Sequence, residues 1–178
     1  MKQIAEKRIV FSLFILLISV ASFAVSSCIP SYKLSGTSID YTKIKSISIK
    51  DFGNLAPTVY PPLATRFSEE LRDQFQKRTR LTQNKDRGDL ELEGEIVGYD
   101  LTAEAIQENA YAAKTRLTMR VKVRYVNNKE EKKSFEKEFT AYASFDSGLM
   151  FNDVQDALVD DISKDIINQI FNATVEDW

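Results

Sequence analysis

The chain has 178 residues, a formal net charge of −2 and no histidine. A slightly acidic chain lacks the basic surface that nucleic-acid phosphates require, which argues against a nucleic-acid partner, and without histidine neither imidazole metal sites nor Ser-His-Asp or Cys-His catalytic sites can form. The one cysteine cannot form an intramolecular disulfide, so the fold must be stabilised by its core.

The N-terminal segment is typical of a secretory signal peptide. An apolar run at 9–25 follows three basic residues: Lys2, Lys7 and Arg8. The run is slightly short for a membrane-spanning helix, so its length alone leaves an uncleaved anchor open. Residues 25–28 then resemble the lipobox of bacterial lipoproteins, because valine and two serines precede Cys28. We therefore predict that residues 1–27 are a lipoprotein signal peptide, cleaved before a lipid-modified Cys28.

The mature chain has the length of one ordinary domain. Residues 28–41 are polar and include a proline and a glycine, so we expect a lipid-anchored tether with a first short strand at 32–34. An α+β domain is expected to follow at 42–178. Residues 43–52 alternate isoleucine with polar residues, which predicts a half-buried strand. Residues 53–62 hold three of the four prolines and predict a turn.

Apolar residues four positions apart predict two amphipathic helices. The first covers 63–78 and places four apolar side chains on one side: Leu63, Phe67, Leu71 and Phe75. The second begins with a capping box formed by Asn152 and Gln155, and it ends before Trp178.

Three strands are predicted between the helices. A polar turn at 82–88 is followed by apolar residues with a period of two at 90–99, 117–125 and 135–145, with a charged hairpin loop at 127–132. Gly94 and Gly98 are expected on the apolar face, where a glycine lets a helix approach closely or marks a bulge. Together the elements predict a two-layer α+β sandwich, a mainly antiparallel four-stranded sheet with both helices on one face and a charged, wet opposite face.

The outward positions of these strands carry charges that alternate in sign. The rows are acidic, basic and acidic in chain order: Glu91, Glu93 and Glu95, then Arg120, Lys122 and Arg124, then Glu136 and Glu138. Facing rows of opposite sign favour these strands as antiparallel neighbours in that order. Paired glutamates could serve a glycosidase, but the cations beside them indicate a solvated sheet surface. Since no glycine-rich phosphate loop is present either, we predict a protein that is not an enzyme and needs no cofactor or metal.

Several segments follow one another in a recognisable order. They are the signal peptide with Cys28, then residues 32–36, 44–57, 88–100, 116–125 and 139–146, and the last helix. In this order the chain resembles the lipopolysaccharide-assembly lipoprotein family, LptE. The resemblance implies a small sheet with two helices, anchored by lipid in the outer membrane and facing the periplasm. It also implies a 1:1 heterodimer in which the chain plugs a large β-barrel, LptD, from within the lumen and assists the passage of lipopolysaccharide to the outer leaflet.

Lipopolysaccharide carries phosphates, so a binding role would belong to the basic row of Arg120, Lys122 and Arg124. The alternative, which we favour, is that these cations only pair with the neighbouring glutamates. The loops at 52–62 and 101–115 are the other candidate contact regions, and the second is more apolar than a free loop requires, with Ile106, Ala110, Tyr111 and Ala112. The competing hypothesis is an accessory periplasmic lipoprotein of a transport complex, binding a lipid or a periplasmic protein.

Overall fold

A computed structural model describes residues 39–58, 60–104 and 113–175. The predicted signal peptide, Cys28, the short strand at 32–34 and the apolar residues 106–112 of the second candidate loop lie outside these ranges. Among the residues described, no helix combines the length and the apolar character that crossing a membrane requires.

The described chain contains six strands and two α-helices. The elements are, in chain order, β1 (Ser46–Ile49), β2 (Gly53–Asn54), α1 (Leu63–Arg78), β3 (Thr82–Asn84), β4 (Leu90–Ala103), β5 (Lys114–Asn127), a short 3-10 helix (Glu131–Lys133), β6 (Phe135–Asp146) and α2 (Phe151–Val175). The two predicted helices and the four predicted strands of the domain are therefore all present. β2 and β3 were not predicted, because they lie in segments that the sequence indicates as turns.

One mixed sheet contains all six strands, in the order β3-β1-β4-β5-β6, with β2 paired to β4 beyond the end of β1. The predicted order of the last three strands is confirmed, since β4, β5 and β6 are antiparallel neighbours. The predicted number of four strands is wrong, and the sheet is mixed: its longest pairs are antiparallel, as expected, but it also has a parallel part. β1 pairs in parallel with both β3 and β4, and β2 also pairs in parallel with β4.

The parallel pairs arise from the way the chain crosses β1. β3 ends at Asn84, which lies opposite Ser48 on one side of β1, and β4 begins at Leu90, which lies opposite Ile47 on the other side. Residues 85–89, which we call the crossing segment, must therefore pass over β1. A Cβ atom on Gly88 would lie 2.7 Å from the backbone nitrogen of Ser48 and 2.6 Å from the carbonyl oxygen of Leu90. Only glycine lets the two backbones approach so closely.

Polar bonds fix the crossing segment on the side of β1 away from the helices. The buried Ser48 hydroxyl donates to the carbonyl of Lys85 over 3.1 Å. The Asp89 carboxylate accepts hydrogen bonds from the backbone N–H groups of Lys45 and Ser46, at 2.8 and 3.2 Å. Lys129, from the β5–β6 connection, lies 3.0 Å from the other Asp89 oxygen. β1 thus has a strand on each side, and the crossing segment covers it on the face away from the helices.

The core lies between the sheet and the two helices. Leu63, Phe67, Leu71 and Phe75 of α1 are fully buried, as the spacing predicts. The Phe75 ring packs against Phe171 of α2 with 5.2 Å between ring centroids, which joins the helices into one layer. Gly94 lies on this apolar face, as expected, because a Cβ there would overlap the Phe52 ring. The two-layer arrangement is therefore confirmed.

Two sequence expectations are wrong in detail. A bulge shifts the β4–β5 register between Ile96 and Gly98, so Gly98 pairs with Arg120 on the charged side and not on the apolar side. The predicted capping box is absent, because α2 begins at Phe151 and Asn152 lies inside the helix. Gln155 instead donates from its amide to the Tyr99 hydroxyl over 2.7 Å, so its role is to join α2 to β4.

The two ends of the sheet differ. At the end that we call proximal, β1 and β4 begin, β5 ends and β6 begins. At the distal end, β4 and β6 end and β5 begins. α2 starts at the distal end, where Phe151 packs on Phe145 of β6 with 5.8 Å between ring centroids. The two loops singled out from the sequence both reach the distal end.

Candidate interaction surfaces

The sheet side away from the helices carries most of the charged residues that the sequence singled out. We call this surface the charged face, and it includes Lys50, Glu91, Glu93, Glu95, Asp100, Arg120, Lys122, Arg124, Glu136 and Glu138. The strand alternation places them there because their neighbours along each strand point into the core. Six carboxylates and four cations give this surface a net negative charge.

Arg124 belongs to a three-residue network with Glu93 and Lys50. An Arg124 guanidinium nitrogen, Nη1, donates to Glu93 Oε1 over 2.8 Å, and Lys50 Nζ donates to Glu93 Oε2 over 2.6 Å. The hydrogen bond from Lys50, followed by that from Arg124, lowers the pKa of Glu93. Glu93 is therefore held as an anion and is unsuited to the general-acid role that a glycosidase carboxyl needs.

Lys122 is surrounded by three glutamates. Its Nζ atom lies 2.6 Å from Glu136 Oε1, and it stands directly between Glu95 on β4 and Glu138 on β6 in the sheet register. The hydrogen bond to Glu136 is the largest cause that raises the pKa of Lys122. The predicted pairing of this lysine with neighbouring glutamates is present, and the partner it contacts is on β6.

Arg120 lies across Gly98 on the same face. The missing side chain leaves room for the guanidinium, which would overlap a Cβ at this position. From there Nη2 of Arg120 donates to Asp100 Oδ2 over 3.2 Å. All three cations of the predicted basic row thus contact a carboxylate, so a phosphate that binds here competes with these carboxylates.

The distal end exposes apolar side chains. Three of them are exposed by 46% or more of their surface: Leu101 near the end of β4, and Leu149 and Met150 in the β6–α2 turn. Leu55, in the first predicted contact loop, is also exposed, but it lies beside Ile96 half-way along β4. Scattered exposed leucines are ordinary, but apolar residues collected at one end of a domain are typical of an interaction site.

A clasp of aromatic and charged side chains fixes the loop before α1 to the sheet and the helices. The Tyr60 ring stacks on Tyr99 with 6.3 Å between centroids, and its hydroxyl donates to Asp156. Arg66 of α1 donates to Asp156 over 3.0 Å and also to Asp160 of α2. The clasp joins the loop before α1, the sheet and both helices, so it fixes the position of that loop on the domain.

The described surfaces differ in chemical character, one being charged and one apolar. Within the described ranges, no group of three or more histidine, cysteine, aspartate or glutamate side chains could hold a metal ion. The largest carboxylate row is neutralised in part by the cations beside it. The geometry therefore offers a polar face and an apolar end to a partner.

The family model for lipopolysaccharide assembly, LptE, matches residues 44–174. The chain belongs to the LptE family. The match begins just before β1 and ends one residue before the end of α2, so the LptE segment and the α+β domain coincide. The resemblance seen in the sequence is confirmed.

Several solved structures are similar to this chain. They include the hypothetical protein CT253 from Chlamydia trachomatis, with 12% identity, 74% of this chain and 98% of that chain covered, and a TM-score of 0.49. For a minor lipoprotein from Acinetobacter baumannii the identity is 15%, the match covers 74% of this chain and 96% of that chain, and the TM-score is 0.45. For lipoprotein GNA1162 from Neisseria meningitidis the identity is 13%, the match covers 72% of this chain and 99% of that chain, and the TM-score is 0.42. No curated protein matches the sequence.

Two parts of the LptE surface were missed from the sequence. Lys50 follows the outward positions of β1, so its place on the charged face was visible, but its contact with Glu93 depends on the unpredicted parallel pairing. The clasp joins Tyr60 to residues more than ninety positions away, and no local pattern indicates such a contact.

Proposed function

We propose that this LptE-family chain is a lipid-anchored outer-membrane protein that plugs a large LptD-like β-barrel in a 1:1 complex. In this role it assists the insertion of lipopolysaccharide into the outer leaflet. The observation that carries the proposal is the LptE match over residues 44–174, which spans all six strands and all but the last residue of α2.

The anchor is the first part of the proposal. Residues 1–27 are removed as a signal peptide and Cys28 becomes the lipid attachment site. Stable anchoring needs more than one acyl chain, since a single chain binds a membrane only marginally. The chain from Cys28 would enter the domain at the proximal end, because Lys45 leads directly into β1 there.

The plug is the second part. The lumen of a large barrel is polar and wet, so a plug needs a hydrophilic outer surface. The charged face supplies one in which each of the four cations already contacts a carboxylate. The exposed apolar residues of the distal end, among them Leu149 and Met150, supply the contact with the barrel wall or its loops.

Lipopolysaccharide contact is the third part and uses Arg120, Lys122 and Arg124. Arginine binds phosphate oxygens through two parallel N–H groups, and the three cations lie on one rigid strand. A phosphate would exchange for Asp100, Glu136 or Glu93 as their partner. Weak binding that falls steeply with salt is the expected signature, since these are exposed charges.

A pull-down tests the barrel role. The tagged full-length chain is extracted from its own outer membrane in mild detergent, and the co-purified proteins are identified by mass. A stoichiometric large β-barrel supports the proposal. Inner-membrane transporter subunits in its place support the accessory-lipoprotein hypothesis and contradict the plug. In the Cys28→Ser variant, loss of the acyl mass together with release from the membrane is the expected result for the anchor.

Matched variants locate the contact. Leu149→Ser with Met150→Ser removes exposed apolar surface at the distal end, and Glu131→Ser with Lys132→Ser makes two exposed changes at the proximal end. We expect the first pair to lose the barrel and the second pair to retain it. Equal recovery of the barrel by both would contradict a distal contact. For lipopolysaccharide, the triple change of Arg120, Lys122 and Arg124 to glutamine should abolish salt-sensitive binding of purified lipopolysaccharide, and unchanged binding would contradict their role.

A further inference from the structure

β6 forms one edge of the sheet. It pairs with β5 in an unbroken register from Tyr125 opposite Phe135 to Lys114 opposite Asp146. No described residue pairs with its other side. An edge strand that is long and regular presents a row of free backbone groups, on which another strand can pair.

One side-chain contact shows which backbone groups point outward. The Gln169 amide of α2 donates to the carbonyl oxygen of Thr140 over 3.1 Å. In an antiparallel strand the N–H and C=O of one residue point to the same side, and successive residues alternate. The backbone groups of Thr140, Tyr142 and Ser144 therefore point to the free edge, whereas those of Ala141 and Ala143 bond to β5.

The two halves of β6 differ in their protection. In the first half, Lys137 pairs with Val123 on the helix side of the sheet, and its Nζ atom lies 5.3 Å from the centroid of the Phe139 ring. An inward-pointing charge of this kind is a known defence of edge strands. From residue 140 to residue 145 the strand has no charge, no proline and no bulge. Residues 140–145, which we call the open edge, lack these defences.

We propose that the open edge accepts a β-strand from another polypeptide, paired through the backbone groups of Tyr142 and Ser144. This mode of binding takes its affinity from main-chain hydrogen bonds. The inference stands on the sheet edge alone and does not require the barrel role proposed above.

In the register centred on Tyr142, charge disfavours a second copy as the occupant. Two β6 strands paired about Tyr142 would place Glu138 of each copy opposite Asp146 of the other, and like charges in facing positions are destabilising. The same two acids, eight positions apart, define the fitting partner. It is an extended segment with a basic residue opposite each acid and uncharged residues of high strand propensity between them.

The probe is a nine-residue peptide of alternating threonine and valine with a lysine at each end. It is added to the full chain in detergent, and amide hydrogen exchange is measured at each residue by NMR. We expect the amides of Tyr142 and Ser144 to exchange at least about tenfold more slowly with the peptide, as one main-chain hydrogen bond allows. Ala141 and Ala143 should already exchange slowly without it. A peptide with glutamate at both ends is the charge control and should bind more weakly.

Tyr142→Pro removes one outward N–H group and leaves the bonds to β5 in place, so we expect about tenfold weaker peptide binding. Tyr142→Thr keeps the N–H group and should bind as the native chain does.

If the proline variant does not fold, a peptide that is N-methylated at alternate residues makes the same test, because it removes N–H groups from the peptide strand instead. Equal binding by the N-methylated peptide, unchanged exchange at Tyr142 and Ser144, or protection of these amides in the free chain would overturn the proposal. The last result would mean that the chain itself, or a second copy detected by sedimentation, covers the edge.

Discussion

Replacing Asp89 by asparagine tests how the crossing segment is held over β1. The Asp89 Oδ2 atom accepts hydrogen bonds from the backbone N–H groups of Lys45 and Ser46 and from the Ser46 hydroxyl, and Oδ1 contacts Lys129. The hydrogen bond from Lys45, followed by that from Lys129, lowers the pKa of Asp89 from 3.8 to about 2. Asparagine keeps the size of the side chain and removes its charge.

The size of the effect follows from the two pKa values of Asp89. A fall from 3.8 to about 2 corresponds to about 2.4 kcal/mol of extra stability for the folded anion. Because the side chain is 21% exposed, solvent screening reduces this to about 1–2 kcal/mol. The folded-state pKa is lowered, so this stability is complete above the unfolded value of 3.8 and is lost as the pH falls towards 2.

Urea unfolding followed by circular dichroism measures the effect at a series of pH values from 7 to 2.5. We expect the native chain to exceed Asp89→Asn by about 1–2 kcal/mol at pH 7, and the difference to shrink steadily below pH 4. Asp86→Asn, an exposed change in the same segment, should stay within about 0.5 kcal/mol of the native chain at every pH. An Asp89→Asn difference that does not vary with pH would refute the electrostatic argument.

Three further changes test the packing by urea unfolding. Gly88→Ala forces a Cβ against the backbone of β1 and should lower the free energy of unfolding by about 3 kcal/mol. The control, Gly53→Ala, meets an ordinary contact at 3.9 Å and should change it little. A loss below about 1 kcal/mol for Gly88→Ala would contradict the close crossing. Ser68→Ala leaves the buried N–H of Phe52 without the hydroxyl that accepts it at 2.9 Å, and should cost about 2 kcal/mol. Burial raises the pKa of Glu70, and its buried Oε2 atom has no hydrogen-bond partner. Glu70→Gln should therefore stabilise the domain at pH 7 by about 0.5 kcal/mol. The gain in stability should vanish below pH 4, because the native carboxyl is then protonated. A gain that persists at pH 3 would contradict the burial of the Glu70 charge as its cause.

The local parts of the fold could be predicted because each leaves a period in the sequence. Phe67 and Phe75 mark the buried side of α1, and the alternation around Val121 marks β5. The opposite charges of Glu93 and Arg124 even indicated the neighbouring strands, and these two side chains are in contact.

The parallel part of the sheet could not be predicted, since its determinants are not local. Whether β1 joins β4 in parallel depends on the five-residue crossing, and in the sequence residues 85–89 read only as a polar turn. A bulge near Gly98 was considered from the sequence. The exact position of the bulge on β4 decides which face of the sheet Gly98 occupies, and this position depends on the pairing of Gly98 with Arg120 on β5. On the charged face, Lys122 contacts Glu136 on β6, which lies diagonally across from it. The sequence does not indicate this choice of partner, because an exposed lysine reaches a diagonal neighbour as easily as the residue directly opposite.

The enclosure of β1 has a mechanical consequence. A pull on the chain before Ser46 acts along the strand, and β1 is bonded on one side to β3 and on the other to β4. The hydrogen bonds of both pairs therefore share the load in shear and cannot break one after another, as they would if an edge strand were peeled away. The crossing segment must also lift before the strand can leave. If the domain is tethered through Cys28, tension from the membrane acts on a strand that is paired on both sides.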